Sequence, residues 1–177
     1  MWSVDLAELA ATFEHATGRA AGPGVVEAAS WACIRHGREL TALDFQAAGR
    51  LVNSTGRRWG RFLDDYDVFV CPTAPTAAPV SGTPDQDDPR IDSAEAWTNL
   101  VFSQVPFTPI ANLTGQPSIS LPLGETGDAL PIGVMLTAQT LREDLRLQVA
   151  AQLEHALPWR DRRPPPISAM RNRAQPE

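Results

Sequence analysis

Four successive apolar residues, Val68-Phe69-Val70-Cys71, stand between the acidic stretch Asp64-Asp65-Tyr66-Asp67 and Pro72. A short run without polar alternation reads as a β-strand buried on both faces, as in parallel or mixed sheets. So apolar a strand makes a poor exposed edge and calls for neighbours on both sides. The chain offers few. Ser118-Ile119-Ser120-Leu121 reads as a second strand, ended by Pro122, and Ile132-Gly133-Val134-Met135-Leu136-Thr137 as a third. The turn residues 124–129 join these two as a hairpin-like pair. Three strands are too few to enclose residues 68–71, so the chain reads as part of a larger body.

The remainder is mostly helical in pattern. Ser3 is placed to cap a helix with apolar positions Leu6, Leu9, Ala10 and Phe13, stopped by Gly18. After Gly22-Pro23-Gly24 a second helix turns Val25, Val26, Ala29, Ala32 and Cys33 inward and ends at Gly37. Thr41 opens the most regular helix, in which Leu43, Ala47, Leu51, Thr55, Trp59 and Leu63 recur every four residues. Asp44 follows Thr41 by three positions and completes a capping box in its acid form. Residues 72–90, rich in Pro, Thr, Ala and Asp, form a long loop of the kind that is functional or packed on another part of a protein. Ser93 starts a helix through Ala94, Trp97, Leu100 and Val101. Glu143 opens the last one, with Leu141, Leu145, Val149 and Leu153 at steps of four, and Pro158 stops it.

Composition narrows the chemistry. All 15 cationic side chains other than His are Arg, and there is no Lys in the 177 residues. A lysine Schiff base, a lysine general base and the lysine of a phosphate-binding loop are thereby excluded. The net charge is −6. Residues 1–157 are acidic, which repels a phosphate backbone and argues against nucleic acid as a partner. Residues 158–177 are basic and contain Pro164-Pro165-Pro166. They read as a solvated extension, disordered over 167–177. No window approaches the ~20 apolar residues that span a bilayer. With only Cys33 and Cys71, and no signal-type run at the N-terminus, a reduced cytoplasmic setting is expected.

Self-contained catalytic constellations are lacking. There is no G-x-S-x-G, H-E-x-x-H, Walker or G-x-G-x-x-G string. Cys33 and His36 lie one helical turn apart, but a zinc site needs further ligands that do not follow. Asp85, Asp87 and Asp88 lack the spacing and turn glycine of a calcium loop and read as a solvated loop. His155 suits the negative pole of the last helix. No metal and no cofactor are expected.

One resemblance rises above this background. Residues 65–79, from Asp65-Tyr66-Asp67 through Pro72-Thr73-Ala74-Pro75 to Ala78-Pro79, resemble the D-x-D-hydrophobic-P-T-x-P-x-A-P segment of amidase signature enzymes. Residues 107–124, Phe107-Thr108-Pro109 through Asn112-Leu113-Thr114-Gly115-Gln116-Pro117 to Leu121-Pro122, resemble their F-T-x-x-x-N-x-T-G-x-P segment. Leu130-Pro131-Ile132-Gly133 resembles the G-L-P-I-G strand, and residues 154–165 the family's C-terminal ending. The region of Trp31 and Arg38 is closest to amidases acting on small or cyclic aliphatic amides. Gln104-Val105-Pro106 stands where tRNA-dependent relatives carry an acid, which points to a less polar substrate.

The resemblance implies an α/β class: the C-terminal part of an α/β/α amidase signature fold with a mixed β-sheet, occupying an incomplete domain over residues 1–166. It implies hydrolysis of carbon–nitrogen amide bonds by a Lys-Ser-Ser acyl-enzyme mechanism, with a backbone oxyanion hole. The chain has neither the Gly/Ser-rich loop nor a lysine, so no catalytic position is carried over to it. Phe107, Thr108 and Ile110, with the 72–80 loop, are the expected wall of an apolar acyl pocket. The implied partners are a small-molecule amide substrate and either a missing N-terminal half or a second copy. The alternative is a non-catalytic remnant that complements a separate N-terminal part. Either reading predicts exposed apolar surface and poor solubility of the chain alone.

Overall fold

The computed structural model describes residues 1–163. The basic tail and the end of the last family-like segment lie outside the described residues. The element order is α1 (Trp2–Thr17), α2 (Ala28–Glu39), α3 (Ala42–Leu63), β1 (Val68–Pro72), α4 (Ala94–Gln104), α5 (Pro109–Thr114), β2 (Ser118–Glu125), β3 (Pro131–Ala138) and α6 (Glu143–Ala156). No helix among the described residues is long and apolar enough to cross a membrane.

Helix ends follow their local chemistry at several points. Thr41 accepts from the Asp44 backbone, and Asp44 returns a bond to Thr41 N, so the expected capping box is formed. Ser93 Oγ accepts from Ala96 N and starts α4. Gly18 ends α1 in the left-handed conformation, at φ 67°.

Two other signals acquire different roles. Helix α1 begins at Trp2, so Ser3 lies inside its first turn and does not cap it. Helix α2 starts at Ala28, after Val25 and Val26, and runs through Gly37 to Glu39. Gly37 is a contact point between helices. A Cβ there would lie 1.8 Å from Ser3 O and 2.9 Å from Ala7 Cβ, so only glycine lets α1 approach so closely.

The sheet has the order β1-β3-β2 with both pairings antiparallel. The three strands therefore do not by themselves make the mixed sheet expected of the whole fold. Val68 pairs with Ala138 and Cys71 with Met135; on the other side Ser118 pairs with Thr137 and Leu121 with Val134. Pro122 does not end β2. The strand continues through a register shift between Leu121 and Gly124. Proline is tolerated there because β2 is an edge and the missing N–H faces away from the ladder. Among the described residues strand β1 has β3 on one side alone, and Val70 is 55% exposed, contrary to the two-sided burial expected from its composition.

The interior is divided. Ala29, Cys33, Ile91, Ala94 and Trp97 form one cluster between α2, α4 and the chain before α4. Ala10, Ala21 and Ile34 form a second between α1 and α2. Leu121, Leu136 and Ala150 join the sheet to α6, with Ile119, Leu123, Val149 and Leu153 packed around them. Helix α3 meets the sheet through Trp59 and Phe62, both edge-on to Phe69. The N-terminal half of its apolar stripe is open, with Leu43 79% and Leu51 68% exposed, while Leu63 at its end is buried.

Candidate functional site

The chemically richest surface lies where the 72–80 loop leaves the sheet. Alternation along the strands puts Cys71, Thr73, Met135, Gly133, Ser118 and Ser120 on the face opposite α6. Thr73 and Ser120 hydroxyls bond each other at 2.5 Å, and Ser118 and Thr137 hydroxyls at 2.8 Å. Thr73 N donates to Gly133 O at 2.9 Å, which fixes the first loop residue against β3. Gly133 is the floor of this pair. A Cβ there would sit 2.8 Å from Thr73 Oγ1 and 2.9 Å from Ser120 Oγ.

The second family-like segment packs beside it. Pro109 takes the first turn of α5, where its missing N–H costs nothing. Gly115 ends α5 at φ 78° and turns the chain into β2. Thr114 ties this turn together: its hydroxyl donates to Ile110 O at 2.6 Å and also contacts the buried Gln116. Gln116 reaches Thr140 Oγ1 at 3.5 Å. A cleft of about 310 Å³ between α3 and α5 is lined by Gly56, Gly60, Thr114 and Gln116.

Phe107, Thr108 and Ile110 are half-buried at the entry to α5. Thr108 is the N-cap of α5 but makes no side-chain cap bond. The α3–α5 cleft is lined by other residues. So are a cleft of about 470 Å³ beside Arg35, His36 and Asp92 and one of about 290 Å³ beside Asp64, Asp67 and Gln139.

The arrangement can hold and orient, but it has no activated nucleophile. Ser and Thr hydroxyls need a base within hydrogen-bond reach. Ser120 and Thr73 have only each other among the described residues, and the chain has no lysine. Burial pushes the thiols of Cys33 and Cys71 up, so they stay protonated and unreactive. The Asp cluster at 85–88 is tied up locally. The Arg90 guanidinium brings the Asp88 carboxyl down to about 2, and Asp87 accepts from Ala28 N. No group of three or more His, Cys, Asp or Glu side chains suited to a metal occurs among the described residues. Arg38 sits 5.8 Å from the Trp31 ring centroid and pairs with Glu14, so both residues of that region brace α1 on α2.

The hydroxyl ladder carried a weak signal in the sequence. Ser118 and Ser120 alternate with Ile119 and Leu121, which marks them as one face. The sequence does not say that Thr73, 47 residues away, closes the pair.

Comparison with known proteins extends this geometry. The family model described as Amidase matches residues 7–147. A Mycobacterium tuberculosis protein carrying the name amidase AmiC is 39% identical over 145 residues, covering 80% of this chain and 29% of that protein. The 6-aminohexanoate-cyclic-dimer hydrolase of Paenarthrobacter ureafaciens is 36% identical over 148 residues, covering 78% of this chain and 29% of the enzyme. A solved structure of 6-aminohexanoate cyclic dimer hydrolase superposes with a TM-score of 0.81 at 32% identity, over 92% of this chain and 34% of that one. The chain thus spans about a third of the length of the relatives it matches.

Proposed function

The chain belongs to the amidase family, and we propose that it is the C-terminal, non-nucleophilic part of an amidase that hydrolyses carbon–nitrogen bonds of small aliphatic or cyclic amides. Residues 1–166 supply sheet strands and covering helices to that domain. Phe107, Thr108 and Ile110, with the loop pinned by Thr73, form one wall of the acyl pocket. The lysine and serines of the acyl-enzyme mechanism come from outside these 177 residues. The reaction is cytoplasmic and takes a small-molecule amide.

One observation carries the reading. The superposition with the cyclic-dimer hydrolase covers 92% of this chain, and the family match over residues 7–147 takes in the hydroxyl ladder and α5. The substrate class is supported by Gln104-Val105-Pro106, which place no acid before Phe107. A pocket without a fixed charge favours apolar substrates, because an unpaired buried charge is costly.

The test is hydrolysis of the 6-aminohexanoate cyclic dimer. The pure chain should release no product. Co-expression with the part of the Paenarthrobacter enzyme outside the matched region should restore turnover. Amide hydrolysis by the isolated chain, blocked by a serine-directed reagent, would overturn the assignment of the nucleophile to another segment. Phe107→Asp in the restored pair should raise KM about tenfold or more, as expected for a charge placed in an apolar wall.

A further inference from the structure

The clefts on the described surface differ in charge. The one beside Gln139 carries Asp64, Asp65 and Asp67 on its wall, and the one beside His36 carries Glu39, Asp92 and Glu95. The α3–α5 cleft has no carboxylate on its wall, and its charged residue is Arg57.

Two glycines open that cleft. Gly56 and Gly60 stand one turn apart on α3, and glycine is unfavourable inside a helix. An added Cβ would meet Thr114 at 3.8 Å from Gly56 and Gln139 at 3.9 Å from Gly60, both ordinary contacts. Alanine fits at either position, so close packing does not demand glycine here as it does at Gly37. What the two glycines keep is open space between α3 and α5.

The floor of that space is Gln116, which is only 7% exposed. Its side-chain amide reaches Thr114 and Thr140, and all three residues line the cleft. The Thr114 hydroxyl has one hydrogen and gives it to Ile110 O. Whichever way round the Gln116 amide lies, its NH2 group makes one bond to a threonine oxygen. Its second N–H has no acceptor among the described residues. A buried donor left open in this way calls for an acceptor.

Arg57 supplies the charge. It donates to Asn53 Oδ1 at 2.8 Å and makes no ion pair among the described residues. The rest of its guanidinium fork matches the two oxygens of a carboxylate. Val52 and Leu113 give the cleft an apolar side. Its volume of about 310 Å³ is at the small end for a ligand site and suits a chain of a few carbons.

We infer that the α3–α5 cleft binds a short-chain aliphatic monocarboxylate. The carboxylate is held by Arg57 and the open Gln116 N–H, and the alkyl chain lies against Val52 and Leu113. The inference does not depend on the amidase reading, because binding is measured without turnover.

The test titrates the full 177-residue chain with butyrate and follows the nuclear magnetic resonance signals of the Gln116 side-chain amide and of Thr114. Saturable shifts at both are expected. Butyramide has the same shape without the charge and should bind at least about tenfold more weakly than butyrate. Arg57→Gln should weaken butyrate by at least about tenfold as well, and Arg57→Lys, which keeps the charge without the fork, by less. Arg50→Gln alters an exposed arginine of the same helix outside the cleft and should leave binding unchanged. Gly56→Ala combined with Gly60→Ala should raise the thermal midpoint through helix propensity and still weaken butyrate at least about tenfold. That pairing of effects separates a filled site from a misfolded chain. The inference is overturned by the lack of a saturable shift, by butyramide binding as tightly as butyrate, or by an equal loss in Arg50→Gln. Undiminished binding by the double alanine variant overturns it too. So does loss of butyrate binding once the chain is joined to the part of the Paenarthrobacter hydrolase outside the matched region, which would give the cleft to a protein carboxylate.

Discussion

Gly37 and Gly49 are both helical glycines, and their surroundings give them opposite mutational signs. Gly37 faces Ser3 O and Ala7 Cβ across the α1–α2 contact. Gly37→Ala must drive the helices apart, and we expect a loss of about 3 kcal/mol in urea denaturation, at the upper end of overpacking costs. Gly49 has no atom within 4 Å of an added Cβ. Gly49→Ala should stabilise by about 0.5–1 kcal/mol through helix propensity alone. If both substitutions had the same sign, the packing of α1 on α2 would be wrong. Glu14 supplies a pH-dependent tie at the same contact. It accepts from Ala21 N at 2.8 Å and from Arg38 at 3.0 Å, and these bonds hold its carboxyl below the usual range. A depressed carboxylate contributes stability that is present above the unfolded value of 4.5 and lost as pH falls through the lower folded value. Glu14→Gln should therefore flatten the acid limb of the stability curve below that point and leave its shape unchanged near neutrality.

The elements differ in how much of their stability is local. Helix α3 is long and mostly exposed, so its cap weighs more than its packing. Thr41→Ala removes the capping-box acceptor and should cost about 1 kcal/mol, read by circular dichroism as fraying from the N-terminal end of α3. The sheet behaves oppositely. Leu136 is 1% exposed between β1, β2 and α6, and Leu136→Ala should cost about 2–5 kcal/mol. The ends of α3 and α4 were legible from Thr41 and Ser93, because a cap is a bond between residues three positions apart. The roles of Ser3, Gly37 and Pro122 were not legible. Each depends on a neighbour distant in sequence or on which strand lies at the edge.

At the scale of the whole molecule, the apolar stripe of α3 and the open β1 edge leave the chain with uncovered surface. Leu43→Glu with Leu51→Gln should raise the solubility of the isolated chain while leaving its thermal midpoint within about 2 °C, as for exposed positions away from packing. A large fall in that midpoint would mean that the stripe is already buried by the chain itself. The proposed acyl-pocket wall belongs to this scale too. Phe107, Thr108 and Ile110 sit together at the start of α5, but a wall needs an opposite side. Gly133→Ala probes the near side: it should displace the Thr73–Ser120 pair and lower kcat of the restored pair more than it changes KM.

Sequence alone determined the family, the order of the elements other than α5, the capping box, the helix stop at Gly18, and the lack of lysine in these 177 residues. These are local or compositional facts, carried by residue type and short spacing. Tertiary structure decided that Thr73 meets Ser120, that Gly37 admits α1, that the N-terminal half of α3 exposes its stripe, and that β1 has β3 as its one neighbour among the described residues. Such facts depend on long-range packing and strand order, which an amphipathic or apolar pattern does not encode. The apolar run at residues 68–71 signals a need for neighbours; only the strand order shows that β3 supplies one.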